Sequence, residues 1–196
     1  MNTSLWKWSL SACGSLLRAP WKILSSEVEE KHVVINDVLL YGDKDKDRTE
    51  KLGMNNLLCI HYILMHASQT IDICVPSLVS ETITKCLITV KKHRDIRVRV
   101  IIHNSDDFHN LESFAQNGIV VKVIKTAERL EHEFILIDAS GVCEELDAVA
   151  IIGSLDYETT RVNCNRDITL LTSEYAVIST LNKEFERIWS SIEINE

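Results

Sequence analysis

Beyond residue 52 the apolar positions repeat either every three to four residues or every second residue, and each change of period marks a new element. Residues 52–67, which include LLCIHYILM, carry the longer period and predict a helix. TIDICV at 70–75 then reads as a strand, 79–93 as a helix, and IRVRVII at 96–102 as an alternating strand. A helix over 106–117 follows, with Gly118 where a left-handed C-terminal cap is wanted, and IVVKVI at 119–124 is the next strand. In the second half the rhythm changes. Phe134 to Ile137 and AVAIIG at 148–153 predict two apolar strands, an antiparallel pair joined by the polar stretch containing SGVCEELD. DITLLT at 167–172 adds one more strand. The last helix has Tyr175, Ile178, Leu181, Phe185, Ile188 and Ile192 as its buried stripe. Strands alternating with helices and then a hairpin imply an α/β fold, a mixed sheet covered by helices on both faces.

Ahead of residue 52 the pattern is lost. Residues 27–51 are polar and charge-rich and read as a linker, with DKDKDR at 43–48 as a solvated loop. Residues 1–26 contain Lys7, Arg18 and Lys22 and no acidic residue. On a helix, Trp6, Leu10, Cys13, Leu17, Trp21 and Leu24 share one stripe, and Lys7, Ser11, Ser15, Arg18 and Lys22 lie opposite. Pro20 interrupts the segment, which falls short of the about 20 apolar residues that span a bilayer. It predicts a membrane-surface anchor or an organelle-targeting segment, the alternative being a helix packed on the domain. The organisation expected is therefore 1–26 anchor or targeting segment, 27–51 linker and 52–196 a single domain.

The 196 residues and 45% hydrophobic content suit one full core. A formal charge of −8 argues against a surface that attracts nucleic acid everywhere, and leaves room for a local basic groove. Six cysteines without a C-x-x-C pair read as reduced thiols, three of them inside apolar runs. His61 and His66, five residues apart, do not stack on one helical face and read as ordinary helix-surface residues.

Candidate chemistry gathers in EHEFILID (131–138), GSLDY (153–157) and NCNRD (163–167), followed by KEFERIW (183–189). In this order the pieces resemble the phospholipase D superfamily, most closely its small single-domain branch of Zucchini-type mitochondrial cardiolipin hydrolases. The resemblance runs from about residue 57 to 192 and implies a phospholipase D-like α/β/α sandwich with a single H-x-K-type domain. It also implies a mitochondrial outer-membrane setting on the cytosolic face and a homodimer that completes the active site. The substrate would be single-stranded RNA in the piRNA pathway, or cardiolipin. In the family motif, H-x-K-x-x-x-x-D followed by G-S-x-N, the histidine attacks phosphorus, the lysine and asparagine hold phosphoryl oxygens, and the aspartate helps set the histidine.

On that frame Glu131 stands in the histidine position and Glu133 in the lysine position, while Asp138, Gly153 and Ser154 match and Asp156 replaces the asparagine. The expected site residues are thus Glu131, Glu133, Asp138, Ser154 and Asp156, in a site without nucleophile or cation. His132 could serve after a one-residue slip, but strand alternation points it away from the side that Glu131 and Glu133 share. If Glu131, Glu133, Asp138 and Asp156 converge, each pairing with a phosphodiester charge costs roughly 4 kcal/mol at 4 Å and an effective dielectric of 20. Drift on a retired site is the favoured reading, and a divalent-metal site made from the carboxylates and His132 is the alternative. No cofactor or metal is expected. Residues 33–58 contain no cysteine or histidine, so the zinc finger of some family members cannot be built from them. A homodimer would oppose two acidic sets. A heterodimer with an active Zucchini-type paralogue would pair those carboxylates with His and Lys. The expected function is a non-catalytic scaffold or dimer partner at the mitochondrial surface. The alternatives are an altered or metal-assisted phosphodiesterase and a membrane-surface lipid binder.

Overall fold

The computed structural model describes residues 34–40, 45–78, 80–103, 108–125, 130–139, 148–153 and 168–192. Its strands are β1 (Asn36–Leu40), β2 (Thr70–Cys74), β3 (Arg97–His103), β4 (Val120–Ile124), β5 (Phe134–Ile137), β6 (Val149–Gly153) and β7 (Ile168–Thr172). The helices are α1 (Lys46–Met65), α2 (Glu81–Arg94), α3 (Phe108–Gln116) and α4 (Tyr175–Ser191). The strands form one mixed sheet in the order β1-β7-β6-β5-β2-β3-β4. β2, β3 and β4 are parallel, whereas β5 is antiparallel to both β2 and β6. The expected hairpin-like pair β5–β6 is therefore present. β2, β3, β4 and β6 all end at one edge of the sheet, called upper here, where β5 and β7 begin.

Strand alternation distributes side chains to two cores. Ile71, Ile73, Val98, Val100, Ile135 and Ile137 face the side covered by α1, α2 and α3. Cys74, Ile101, Phe134, Leu136 and Ala150 face the other, under Ile178, Phe185 and Ile188 of α4. Every residue of TIDIC is buried, Thr70 and Asp72 being its polar members.

A wholly buried carboxylate needs a partner. Arg99 supplies it, its Nε and Nη2 donating to the two Asp72 oxygens at 2.7 and 2.9 Å. The same guanidinium donates to Glu186 of α4 at 2.6 and 3.3 Å. It also lies 4.7 Å from the Phe185 ring centroid and 5.1 Å from that of Trp189. Burial acts against the charge of Arg99, but the hydrogen bonds from Asp72 and Glu186 outweigh it and hold its pKa above the ordinary value. Lys122 of β4 adds a second tie, donating to the carbonyls of Trp189 and Ile192 at 2.7 and 2.8 Å where α4 ends. KEFERIW thus docks α4: Phe185 fills the core, and Glu186 and Trp189 enclose a cation from the sheet.

Three expectations are corrected. The stretch 27–51 is not only linker, because NDVLL forms β1, pairs antiparallel with β7 and buries Leu39. DKDKDR is not a loop throughout: Asp45 caps α1, its side chain accepting from the amides of Asp47 and Arg48 at 2.9 and 3.4 Å, so the helix starts six residues ahead of the apolar pattern. A capped first turn can be polar all round, which hides it from periodicity. Tyr175, expected in the buried stripe of α4, is 70% exposed in the first turn, and the buried stripe begins at Ile178. Gly118 behaves as expected, with φ +70° after α3. Residues 1–26 lie outside the described residues.

Candidate functional site

The residues singled out by the motif straddle β5. Glu131, His132 and Glu133 come before the strand at the upper edge, and the Gly153 amide donates to the Glu133 carbonyl at 3.0 Å, extending the β5–β6 ladder by one residue. Gly153 is required there: its φ is +124°, and a Cβ would collide with the Ile168 carbonyl oxygen of β7. Ser154 and Asp156 lie outside the described residues.

Alternation then sorts the three. Leu130, Phe134 and Leu136 belong to the core under α4, so His132 shares that side and Glu131 and Glu133 take the other. His132 Nε2 stands 3.0 Å from Glu184 Oε1 of α4. Arg187, one turn on, holds both oxygens of the same carboxylate at 2.7 Å. The Arg187 hydrogen bonds lower the Glu184 pKa, partial burial opposes them, and His132 adds to the lowering. Glu184 in turn acts on Cys74 at the end of β2, whose thiol is pushed up to about 12, first by burial and then by that carboxylate. Such a thiol is no nucleophile at neutral pH.

Asp138 is a correction to the converging cluster. It follows β5 at the lower edge, five residues from Glu133, or about 16 Å at about 3.3 Å per residue. Its backbone takes φ +55°, and its carboxylate accepts from the amides of Ser68, Gln69 and Thr70 at 2.9, 2.7 and 2.9 Å and from the Ser68 hydroxyl at 2.9 Å. The aspartate of the motif therefore closes the α1–β2 connection and sets no group at the upper edge. Asp138 and His132 are also removed from the supposed metal set with Glu131 and Glu133, one by distance and the other by face. Among the described residues no group of three His, Cys, Asp or Glu side chains stands close enough to hold a metal ion.

Glu184 and Arg187 were missed as site residues. Their only sequence signal is the i,i+3 pairing inside KEFERIW, and its nearness to His132 depends on where α4 crosses the sheet. His66, read as a surface residue, is exposed at the end of α1, with Nδ1 2.8 Å from the Tyr62 carbonyl. Cys59, Cys74 and Cys86 are buried free thiols, as expected.

A family model described as "Cardiolipin synthase, PLD-like domain" matches residues 60–189, from α1 through Trp189. The chain belongs to the phospholipase D-like family. Its relatives include the mitochondrial cardiolipin hydrolases of Chlamydomonas reinhardtii, 27% identical over 63% of this chain, and of Xenopus laevis, 25% identical over 64%. These matches put the chain in the branch suggested by its motifs. The chain spans 52% and 57% of the length of those two relatives. Among solved structures, Nuc from Salmonella typhimurium superposes with a TM-score of 0.62 at 14% identity, covering 82% of this chain and 97% of that one. NucT from Helicobacter pylori gives 0.60 at 13% identity, covering 82% and 98%. At these identities the likeness fixes the phospholipase D-like fold.

Proposed function

We propose that this phospholipase D-like chain is a non-catalytic interaction protein associated with mitochondria, at the cytosolic face of the outer membrane. It acts there as scaffold or dimer partner to an active Zucchini-type relative, in the processing of single-stranded RNA of the piRNA class. The observation that carries this reading is the identity of the upper-edge residues. Glu131 and Glu133 occupy the positions that the motif gives to a nucleophilic histidine and a phosphate-holding lysine. A carboxylate in place of a lysine repels a phosphodiester as well as failing to hold it. Two such edges facing each other across a two-fold seam repel, whereas a basic partner edge complements them, which favours a heterodimer over a homodimer.

The test is hydrolysis of cardiolipin and of single-stranded RNA by the purified chain, with and without divalent metal, beside a Glu131→His, Glu133→Lys, Asp156→Asn variant. Silence from the natural chain and activity in the variant are expected. Robust hydrolysis by the natural chain would overturn the reading.

One observation favours a second reading, a phosphodiesterase with an altered site. On the α4 side of the same edge, His132 is oriented by Glu184 with the Arg187 cation beside it, a histidine–carboxylate pair with a phosphate-binding group in reach. On this reading hydrolysis by the natural chain is lost in His132→Ala and unaffected by Glu131→Gln. Affinity isolation of the full chain distinguishes the partner hypotheses: an active relative in the complex supports the heterodimer, and recovery of only this chain counts against it.

A further inference from the structure

α1 differs from the other long helices in where its apolar residues lie. On α2 the outward positions carry Glu81 and Lys85, and on α4 they carry Thr180, Lys183 and Arg187, the polar side expected of a helix that rests on a core. α1 buries Leu57, Ile60, Ile63 and Leu64 in the core, yet its outward side is apolar too. Leu58 is 58% and Met54 39% exposed, and half-buried Tyr62 continues the line one turn further on. Spaced by four, the three form one stripe with Leu58 at its centre.

The residues beside the stripe are arranged symmetrically about Leu58. Asn55 and His61 stand three residues before and after it, and Glu50 and His66 eight before and after it, with Glu50, Asn55 and His66 exposed. His66 is held in place: its Nδ1 lies 2.8 Å from the Tyr62 carbonyl and its ring 4.0 Å from the Tyr62 ring, which leaves Nε2 to meet an incoming group. A two-fold axis through Leu58, perpendicular to the helix, sets each residue opposite the one equally far beyond Leu58 in a second copy. Leu58 then meets its own copy, Met54 meets Tyr62, Asn55 meets His61 and Glu50 meets His66, each of the last three twice. A thioether beside an aromatic ring and a carboxylate beside an imidazole are favourable pairs. Antiparallel helices crossing at about 20° stay close over the roughly 24 Å that separates Glu50 from His66. A helix of another protein would account for the apolar line but not for its symmetry. A lipid surface is disfavoured by Asp47 and Glu50, both exposed on the same helix.

We propose that α1 is a self-association surface. Two copies of this chain pair antiparallel through Met54, Leu58 and Tyr62, with Glu50 of each against His66 of the other. Glu131 and Glu133 are no part of this stripe, so the pairing stands apart from the heterodimer proposed for the upper edge, and neither requires the other. One helix on one helix buries less than the about 800 Å² per partner of a standard stable interface. The association is therefore weak and reversible.

The test is sedimentation equilibrium of the full chain over a concentration series up to about 1 mM. Leu58→Glu is compared with Leu52→Glu, the same change on an exposed residue of α1 off the stripe. Circular dichroism checks that each is folded. The natural chain is expected to dimerise, Leu58→Glu to weaken the dimer on the order of tenfold or more, and Leu52→Glu to leave it. Glu50→Lys and His66→Glu test the register. Alone, the first removes an attraction and the second opposes two carboxylates, so both should weaken the dimer. Mixed in equal amounts they should pair, because the introduced lysine meets the introduced glutamate while the native pair is kept on the other side. A natural chain that stays monomeric, a dimer that survives Leu58→Glu, or a mixture no better than either variant alone would overturn the proposal. It fails equally if a monomeric chain loses binding to phosphatidylcholine vesicles on Leu58→Glu, or if Leu58→Cys resists alkylation in the monomer, since lipid or the chain's own residues would then cover the stripe. These readouts are separate from the hydrolysis assay, so either reading can fail alone.

Discussion

The two ends of β5 are five residues apart in sequence and differ in nearly every physical respect. At the lower end Asp138 accepts four hydrogen bonds from one connection, and its strained backbone is held by them. At the upper end Glu131 is exposed and Glu133 half-buried, and the Gly153 amide ties the Glu133 carbonyl to the sheet. Within one motif, the lower end serves the fold, and the proposed function puts its partner at the upper end. A residue required for folding resists replacement, whereas a residue required only for a reaction can change once the reaction is given up. On the proposed function, the same division would account for Asp138 keeping the pattern of the resemblance while positions 131 and 133 depart from it.

The contrast can be broken or sharpened by mutation. The largest effect is expected midway, beneath both ends: Arg99→Ala leaves Asp72 buried without its bidentate partner, a loss of about 3–5 kcal/mol. Urea denaturation should show it as a fall in midpoint with α4 less firmly docked. Asp138→Ala comes next, at about 3 kcal/mol, because three backbone amides lose a charged acceptor and alanine must hold a positive φ. Asp138→Asn should recover part of that loss, since asparagine accepts one such bond and tolerates the left-handed region. If Asp138→Ala melted like the natural chain, the assignment of this end to folding would fail.

Smaller effects belong to the upper end. His132→Ala should cost less than about 1 kcal/mol, as expected for a half-exposed pair. Glu184 supplies a pH dependence. Its folded pKa lies below the ordinary carboxylate value, so its contribution is complete at neutral pH and disappears as the pH falls through and below that range. Glu184→Gln should remove that limb from a plot of stability against pH. Glu131→Gln and Glu133→Gln should change stability least, within about 0.5 kcal/mol. A thiol probe gives an independent check on the core between the two ends. With pKa values pushed up to about 12 by burial, Cys74 and Cys86 should escape alkylation at neutral pH until urea unfolds the chain, as read by peptide mass mapping.

Much of this was legible in the sequence because it rests on periodicity. β2, β3, β4, β5, β6, β7 and the four helices follow from short apolar runs or from apolar residues repeating at 2 or about 3.6, and the opposite placement of His132 from Glu131 and Glu133 follows from strand alternation. β1 escaped because NDVLL is an edge strand with one buried side chain, too weak a pattern to stand apart from its polar flanks. The early start of α1 escaped because a side-chain cap needs only Asp45 and leaves no apolar trace.

The sequence by itself determined the family and its sheet, and the two carboxylates at positions 131 and 133. Those depend on residue identity and on local repeat, both written along the chain. Only the tertiary structure decided that Asp138 belongs to the lower end, that Glu184 and Arg187 meet His132, and that buried Asp72 and Arg99 join half-exposed Glu186 in one ion-paired set. Those contacts join residues 27 to 87 positions apart. They exist because the sheet order brings β5 beside β2 and α4 across both, an arrangement that no local pattern encodes.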